Sequence, residues 1–227
     1  MVTSPTVKTS IESLHLEMLS EKTKGAFLRC VEIPLFAENG WYLAGGTALT
    51  LQVGHRKSVD LDFFTNQKFD EGKIAEQLST LGQWETTSMS PGTIYGEFLG
   101  AKMSLIYYPF FKNADDMLKI GFVNVITPKD ISVMKVVAIS QRGRKRDFID
   151  MYWLSQNILP IEESIRRVDQ QYTVKQNVSH ILKSLVYFED AENDPDPETN
   201  FKASWKEVKA FFTNQIPRVT RDLVNLN

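Results

Sequence analysis

Apolar residues recur at helical spacing over residues 11–31: Ile11, Leu14, Met18 and Leu19, then Ala26, Phe27 and Val31. The spacing predicts one helix or two, with a break near Gly25, preceded by a polar tail over residues 1–10. Pro34 and the Asn39-Gly40 turn punctuate the next stretch of chain. Residues 41–44 form a short apolar strand candidate and residues 47–53 a brief apolar helix, joined by Gly45-Gly46. Gly54-His55-Arg56-Lys57 is a basic loop. Residues 59–64 then alternate as a strand, with Asp60 and Asp62 on one face and Leu61 and Phe63 on the other. A helix over residues 70–82 packs through Ile74, Ala75 and Leu78.

The pattern then turns β-rich. Residues 84–88, 93–99 and 103–108 are strand candidates, separated by Ser90-Pro91-Gly92 and Gly100, and residues 122–125 add a short fourth element. Thr127-Pro128-Lys129-Asp130 reads as a helix start, with Thr127 as N-cap and Pro128 at the first helical position. From there the chain is helical. Residues 131–139 are apolar nearly all round and predict a buried helix, ended by Gly143. Further helices are expected at residues 145–154, 161–171, 175–187 and 203–214, with the acidic stretch 189–198 as a loop or linker. The fold class is therefore α+β: a mixed sheet with flanking helices over residues 1–126, then an α-helical half over 127–227.

Bulk properties narrow the class without choosing a function. The net charge of −2 over 227 residues excludes a globally basic nucleic-acid binder, though not a local basic patch. Cys30 is the only cysteine, which rules out an intrachain disulfide and a cysteine metal cluster and suits a reducing, cytoplasmic setting. The start, MVTSPTVKTSIES, lacks the apolar core of a signal peptide, and no apolar run is long enough to suggest a membrane partner.

Two carboxylates at i and i+2 on a strand repel one another. A bound Mg²⁺ or Mn²⁺ removes that conflict, taking oxygens from Asp60 and Asp62 together with substrate phosphates. Alone, the pair reads first as an exposed acidic strand edge, which is common. Gly45-Gly46-Thr47 lets the backbone approach an anion closely and opens a helix whose N-terminus suits phosphate. Thr47 adds a hydroxyl to that turn or serves only as the N-cap. Neither a Walker spacing nor a dinucleotide fingerprint is present. Together, the turn and the carboxylates make one compact unit able to face across a nucleoside triphosphate.

This unit resembles the signature of the DNA polymerase β nucleotidyltransferase superfamily, a glycine pair followed by Asp-x-Asp. More narrowly, GGTALTLQVGHRKSVDLDFF resembles the AbiEii/AbiGii family, the nucleotidyltransferase-like toxins of bacterial abortive-infection toxin–antitoxin systems. The resemblance continues through ITPKDISVMKVVAISQRGRKRDFIDMYWL, residues 126–154. It implies a nucleotidyltransferase-like fold, a divalent metal, an NTP donor, an RNA (a tRNA end among the options) or protein acceptor, and a cognate antitoxin. It also implies that the helical half completes the active site, with catalytic residues Asp60, Asp62, Lys135, Asp147 and Asp150. Nucleotide contacts would come from Gly45, Gly46, Thr47, His55, Arg56, Arg142 and Arg146.

The residues of the second block also read on physical grounds. Lys135 lies within an apolar helix, where burial of its charge demands an anionic partner, whether phosphate or aspartate; the other outlet is snorkelling to solvent. Arg146 and Asp150, at i and i+4, are placed for a salt bridge as well as for catalysis. Arg142, Arg144, Lys145 and Arg146 form a positive run that suits nucleotide or RNA phosphates, or simply a solvated surface. One departure from the superfamily pattern stands out. The strand expected to carry a third metal-binding acid, Lys102-Met103-Ser104-Leu105-Ile106-Tyr107, has none, leaving Glu97, Asp147 or Asp150 as substitutes. A non-catalytic nucleotide- or RNA-binding relative and a phosphotransferase are the alternative readings.

Overall fold

The computed structural model describes residues 11–224, so the expected polar tail over residues 1–10 lies outside it. The chain divides into two compact units, Met1–Thr127 and Pro128–Asn227. In the first, two 3₁₀ turns, Ile11–Ser13 and Leu16–Met18, precede α1 (Glu21–Cys30). The predicted break at Gly25 is not there: α1 runs straight through it, and the interruption falls at Leu19-Ser20. The reason is a cap. The Ser20 hydroxyl accepts from the Thr23 amide at 3.2 Å and starts the helix anew.

Next come β1 (Tyr42–Ala44), α2 (Gly45–Val53), β2 (Leu61–Thr65), α3 (Glu71–Thr80), β3 (Trp84–Ser90), β4 (Thr93–Phe98) and β5 (Ala101–Tyr107). A closing hairpin, β6 (Leu118–Ile120) and β7 (Val123–Val125), includes one strand that the sequence pattern does not mark. The seven strands form a single mixed sheet in the order β3-β4-β5-β2-β1-β7-β6. β2 runs antiparallel to β1 and parallel to β5, so it is a central strand. Its alternation sets the two faces: Leu61 and Phe63 are fully buried, whereas Asp62 and Phe64 are half-buried. The Phe63 ring meets Phe36 with centroids 4.5 Å apart. α1 buries Ala26, Phe27 and Cys30 completely, and burial pushes the Cys30 thiol pKa well up.

The second unit is helical: α4 (Pro128–Arg142), α5 (Lys145–Asn157), α6 (Ile161–Gln171), α7 (Val178–Ser184), α8 (Glu189–Glu192) and α9 (Trp205–Val224). α4 starts at Pro128, ends before Gly143 (φ +54°) and buries Ile131, Val133, Val136, Val137 and Ile139, as its apolar pattern requires. α7 is shorter than the sequence spacing suggests. α9 is longer and passes through Pro217, because Val208, Phe212, Ile216 and Val219 keep one buried stripe.

The acidic stretch 189–198 is not a free linker. Lys145 is buried, and its ammonium donates to the carbonyl of Asp194 at 2.6 Å and to Asp196 Oδ1 at 3.1 Å. Asp194 also accepts from the Lys145 amide and from Arg144. A buried ammonium needs acceptors, and this segment supplies them. Trp205 lies 5.5 Å from the same ammonium, beside the ring cluster of Phe148, Phe188 and Phe212. Among the described residues no helix is long and apolar enough to cross a membrane.

Candidate active site

The site begins where β1 ends. Ala44 pairs with Asp62 across the antiparallel ladder, and the chain then turns at Gly45 (φ +71°) directly into α2. The helix therefore starts two residues earlier than the apolar pattern alone suggests, and Thr47 is not its N-cap. Ala44 takes that position and offers no side-chain cap to the first amides. A Cβ on Gly45 would stand 3.1 Å from Asp62 Oδ2, so the backbone passes hard against that carboxylate. A Cβ on Gly46 would collide with the Arg56 guanidinium. The glycine pair thus does two jobs: one gives the turn its left-handed backbone, the other makes room for an arginine. Gly45→Ala should lower stability by about 1–2 kcal/mol through its left-handed φ, read as a fall in the chemical-denaturation midpoint.

Thr47 is spent inside the protein. Its hydroxyl donates to the Asp60 carbonyl, so the Ser58 hydroxyl, 2.7 Å away, must donate to Thr47. The link fixes the backbone on which Asp60 stands, one residue ahead of β2. Arg56 and His55 are both buried; Arg56 Nη1 donates to the Lys57 carbonyl at 2.8 Å, and Thr50 holds the Arg56 carbonyl at 2.9 Å. The basic loop is therefore a packed corner, with its arginine laid over Gly46.

On the other side of Asp62 stands β5. Ser104 pairs with Asp62 in register and donates to Asp62 Oδ1 at 2.5 Å. β5 is the strand on which a third acid is expected, and it carries none; the side chain it sets against Asp62 is a serine. A cavity of about 300 Å³ opens here, lined by Asp60, Asp62, Ser104, Tyr95, Glu97 and Lys102 among others. Among the described residues no three His, Cys, Asp or Glu side chains converge as a complete metal site. The two aspartates still suit a hard divalent cation. They share one cavity, their donors are all oxygen, and Gly45 leaves space that any side chain would fill.

The remaining predicted residues cluster within the helical unit. Lys135, on α4, is buried and its ammonium lies 2.6 Å from both Asp147 Oδ1 and Asp150 Oδ2 on α5. The anionic partner that the sequence demanded is supplied by these two aspartates. Arg142 adds a fork to Asp147, with Nε at 2.7 Å and Nη2 at 3.0 Å. Burial opposes the Asp147 charge, but Lys135 and then Arg142 outweigh it and hold the carboxyl below its ordinary range. Arg144 and Lys145 are engaged by the 189–198 segment, whereas Arg146 is exposed and lines a shallow pocket with Arg144, Asp194 and Pro195.

Ser58, Ser104, Tyr95 and Lys102 were not singled out by the sequence pattern. Ser104 and Asp62 meet across 42 residues, and only the sheet register brings them together.

A strand, a glycine turn into a helix, and an aspartate pair at the start of the adjoining strand of a mixed sheet define a nucleotidyltransferase-type fold. The chain belongs to the AbiEii nucleotidyl transferase toxin family of type IV toxin–antitoxin systems, whose model matches residues 27–94 and 107–222. An uncharacterized protein of Aquifex aeolicus is 37% identical over 183 residues, covering 78% of this chain and 87% of that protein. Two solved structures share the fold. A candidate nucleotidyltransferase of H. pylori has TM-score 0.53 at 16% identity, covering 92% of this chain and 99% of its own. MenT4, a nucleotidyltransferase toxin of Mycobacterium tuberculosis, has TM-score 0.53 at 14% identity, covering 91% and 87%.

Proposed function

We propose that the sheet unit transfers a nucleotidyl group from an NTP to a hydroxyl on RNA, with a tRNA end as one such acceptor, and that the protein acts as a cytoplasmic toxin checked by a cognate antitoxin. The observation that carries this is the close approach of Gly45 to Asp62, so tight that a Cβ on the glycine would stand 3.1 Å from the carboxylate, which supports a phosphate held at the turn beside the aspartates. The triphosphate lies against Gly45-Gly46 and the uncapped first turn of α2, where backbone amides point at an anion. Asp60 and Asp62 are the residues to hold a divalent cation, Mg²⁺ or Mn²⁺, which when bound supplies charge neutralisation at the phosphates.

In the reaction the acceptor oxygen bonds to the α-phosphorus, and the bond from that phosphorus to the bridging oxygen breaks. Pyrophosphate leaves with the electron pair, and the hydroxyl proton passes to solvent. Ser104 orients Asp62 through its hydrogen bond, and Thr47 with Ser58 orients Asp60 through the backbone. Involvement of Lys135, Asp147 and Asp150 in the reaction belongs to the same proposal, and their salt linkage gives them a structural role independent of it.

Incubation with α- or γ-labelled NTP and total RNA is the test. Transfer of the α label supports the proposal, and transfer of the γ label alone would make the protein a phosphotransferase. One observation favours a second reading, a non-catalytic nucleotide binder: β5, the strand beside Asp62, carries no acid and sets Ser104 against it. Absence of any transfer, with NTP binding unchanged in a double Asp60→Asn/Asp62→Asn variant, would support that reading.

A further inference from the structure

One row of residues crosses four adjacent strands in register: Ala44 on β1, Asp62 on β2, Ser104 on β5 and Tyr95 on β4. Asp62 therefore has the glycine turn on one side and the β5–β4 wall on the other. An in-line displacement needs the attacking and leaving oxygens on opposite sides of the phosphorus. With the leaving pyrophosphate toward Gly45-Gly46, the attacking hydroxyl arrives from the β5–β4 side.

That side carries its own chemistry. Tyr95 is 48% exposed and lines the Asp60/Asp62 cavity, an uncommon outlay for a ring that burial would stabilise. Lys102 on β5 pairs with Glu97 on β4 two residues along the same face, and both are exposed into the same cavity. The register of β3 slips between Thr86 and Ser88, and the extra residue, Thr87, also lines the cavity. Two strand spacings separate Tyr95 from Asp62, roughly 10 Å, which is room for one nucleoside between ring and carboxylate. Residues 95–106, which hold Tyr95, Glu97, Lys102 and Ser104, are also the internal stretch that the family model leaves unmatched.

Resting on the nucleotidyl-transfer reading, we propose that this wall is the acceptor subsite and that its ligand is the terminal nucleotide of a single-stranded RNA. The terminal base stacks on Tyr95, Lys102 meets the preceding phosphate, and Glu97 accepts from a ribose hydroxyl. An exposed aromatic ring beside a lysine favours a nucleic acid over a protein acceptor, because stacking and phosphate pairing are the two contacts that single strands offer without sequence preference.

The test uses the full chain carrying Asp60→Asn and a fluorescent single-stranded RNA of random sequence with a free terminal hydroxyl. Tyr95→Ala in that background should weaken RNA binding about tenfold or more, and Tyr95→Phe should stay within about twofold. Lys102→Gln should weaken binding and flatten its salt dependence. In the active chain, Tyr95→Ala should raise KM for RNA without moving KM for NTP. An RNA affinity unmoved by Tyr95→Ala would overturn the proposal. So would a rise in KM for NTP instead, or labelling of a protein acceptor with no RNA binding. Transfer that survives Asp60→Asn would remove the proposed reaction, while the binding comparison still judges the wall.

Discussion

Asp60→Asn and Asp62→Asn should each lower nucleotidyl transfer on the order of a thousandfold while leaving the thermal unfolding midpoint nearly unchanged. Both side chains are half-buried at the rim of the cavity, so an amide of the same size fits without strain. In Asp62→Asn the amide oxygen would still accept from Ser104, keeping the β2–β5 register while removing the charge that draws the cation. Ser104→Ala provides the graded comparison. It removes only the hydrogen bond to Asp62, and the expected loss is about 10–100-fold, in line with removal of a group that orients a metal ligand. Transfer of α-labelled nucleotide to RNA reads all three variants. Wild-type transfer by either asparagine variant would exclude these aspartates from the reaction.

Lys135→Met acts on stability and should cost about 3–5 kcal/mol, because it removes the ammonium that bridges two buried carboxylates. Urea denaturation measures the loss, and a change below about 1 kcal/mol would show that the cluster is relaxed by water. Replacing the whole cluster with apolar residues should cost much less than breaking it, since an intact buried ion pair is rarely a large net gain. The pH dependence has a definite sign. The folded Asp147 carboxyl titrates below its ordinary value of 3.8, so its stabilising contribution is complete above that pH. It is lost as the pH falls below 3.8 through the lower folded value. Asp147→Asn should therefore flatten the acid limb of the stability curve.

The features that sequence conveyed well are local ones. The Gly45-Gly46 turn, the Asp-x-Asp pair and the Pro128 helix start are each written within a few neighbouring residues. α4 starts at Pro128, where the pattern puts it, whereas α2 already begins at Gly45 and β2, expected over 59–64, begins only at Leu61, leaving Asp60 one residue ahead of it. Lys135 was legible because a charge in an apolar helix has few outlets, and the answer came from α5, the next helix along. What escaped were pairings across distance. Ser104 looks like an ordinary strand serine until register sets it against Asp62. The docked 189–198 segment reads as a linker because its composition is acidic, and only the buried Lys145 gives that acidity a purpose. The helix break moved from Gly25 to Ser20 because an exposed glycine weakens a helix less than a good cap defines one.

Cys30 decides how the chain can be watched in solution. The sequence holds no other cysteine, and this one is fully enclosed in α1 with its thiol pushed up by burial. Thiolate is the reactive form, so maleimide dyes and nitroxide labels find no native anchor in the folded protein. A cysteine placed at exposed Met89 or Tyr187 would then be the sole point of attachment, one reporter for each unit, without first stripping the background thiol.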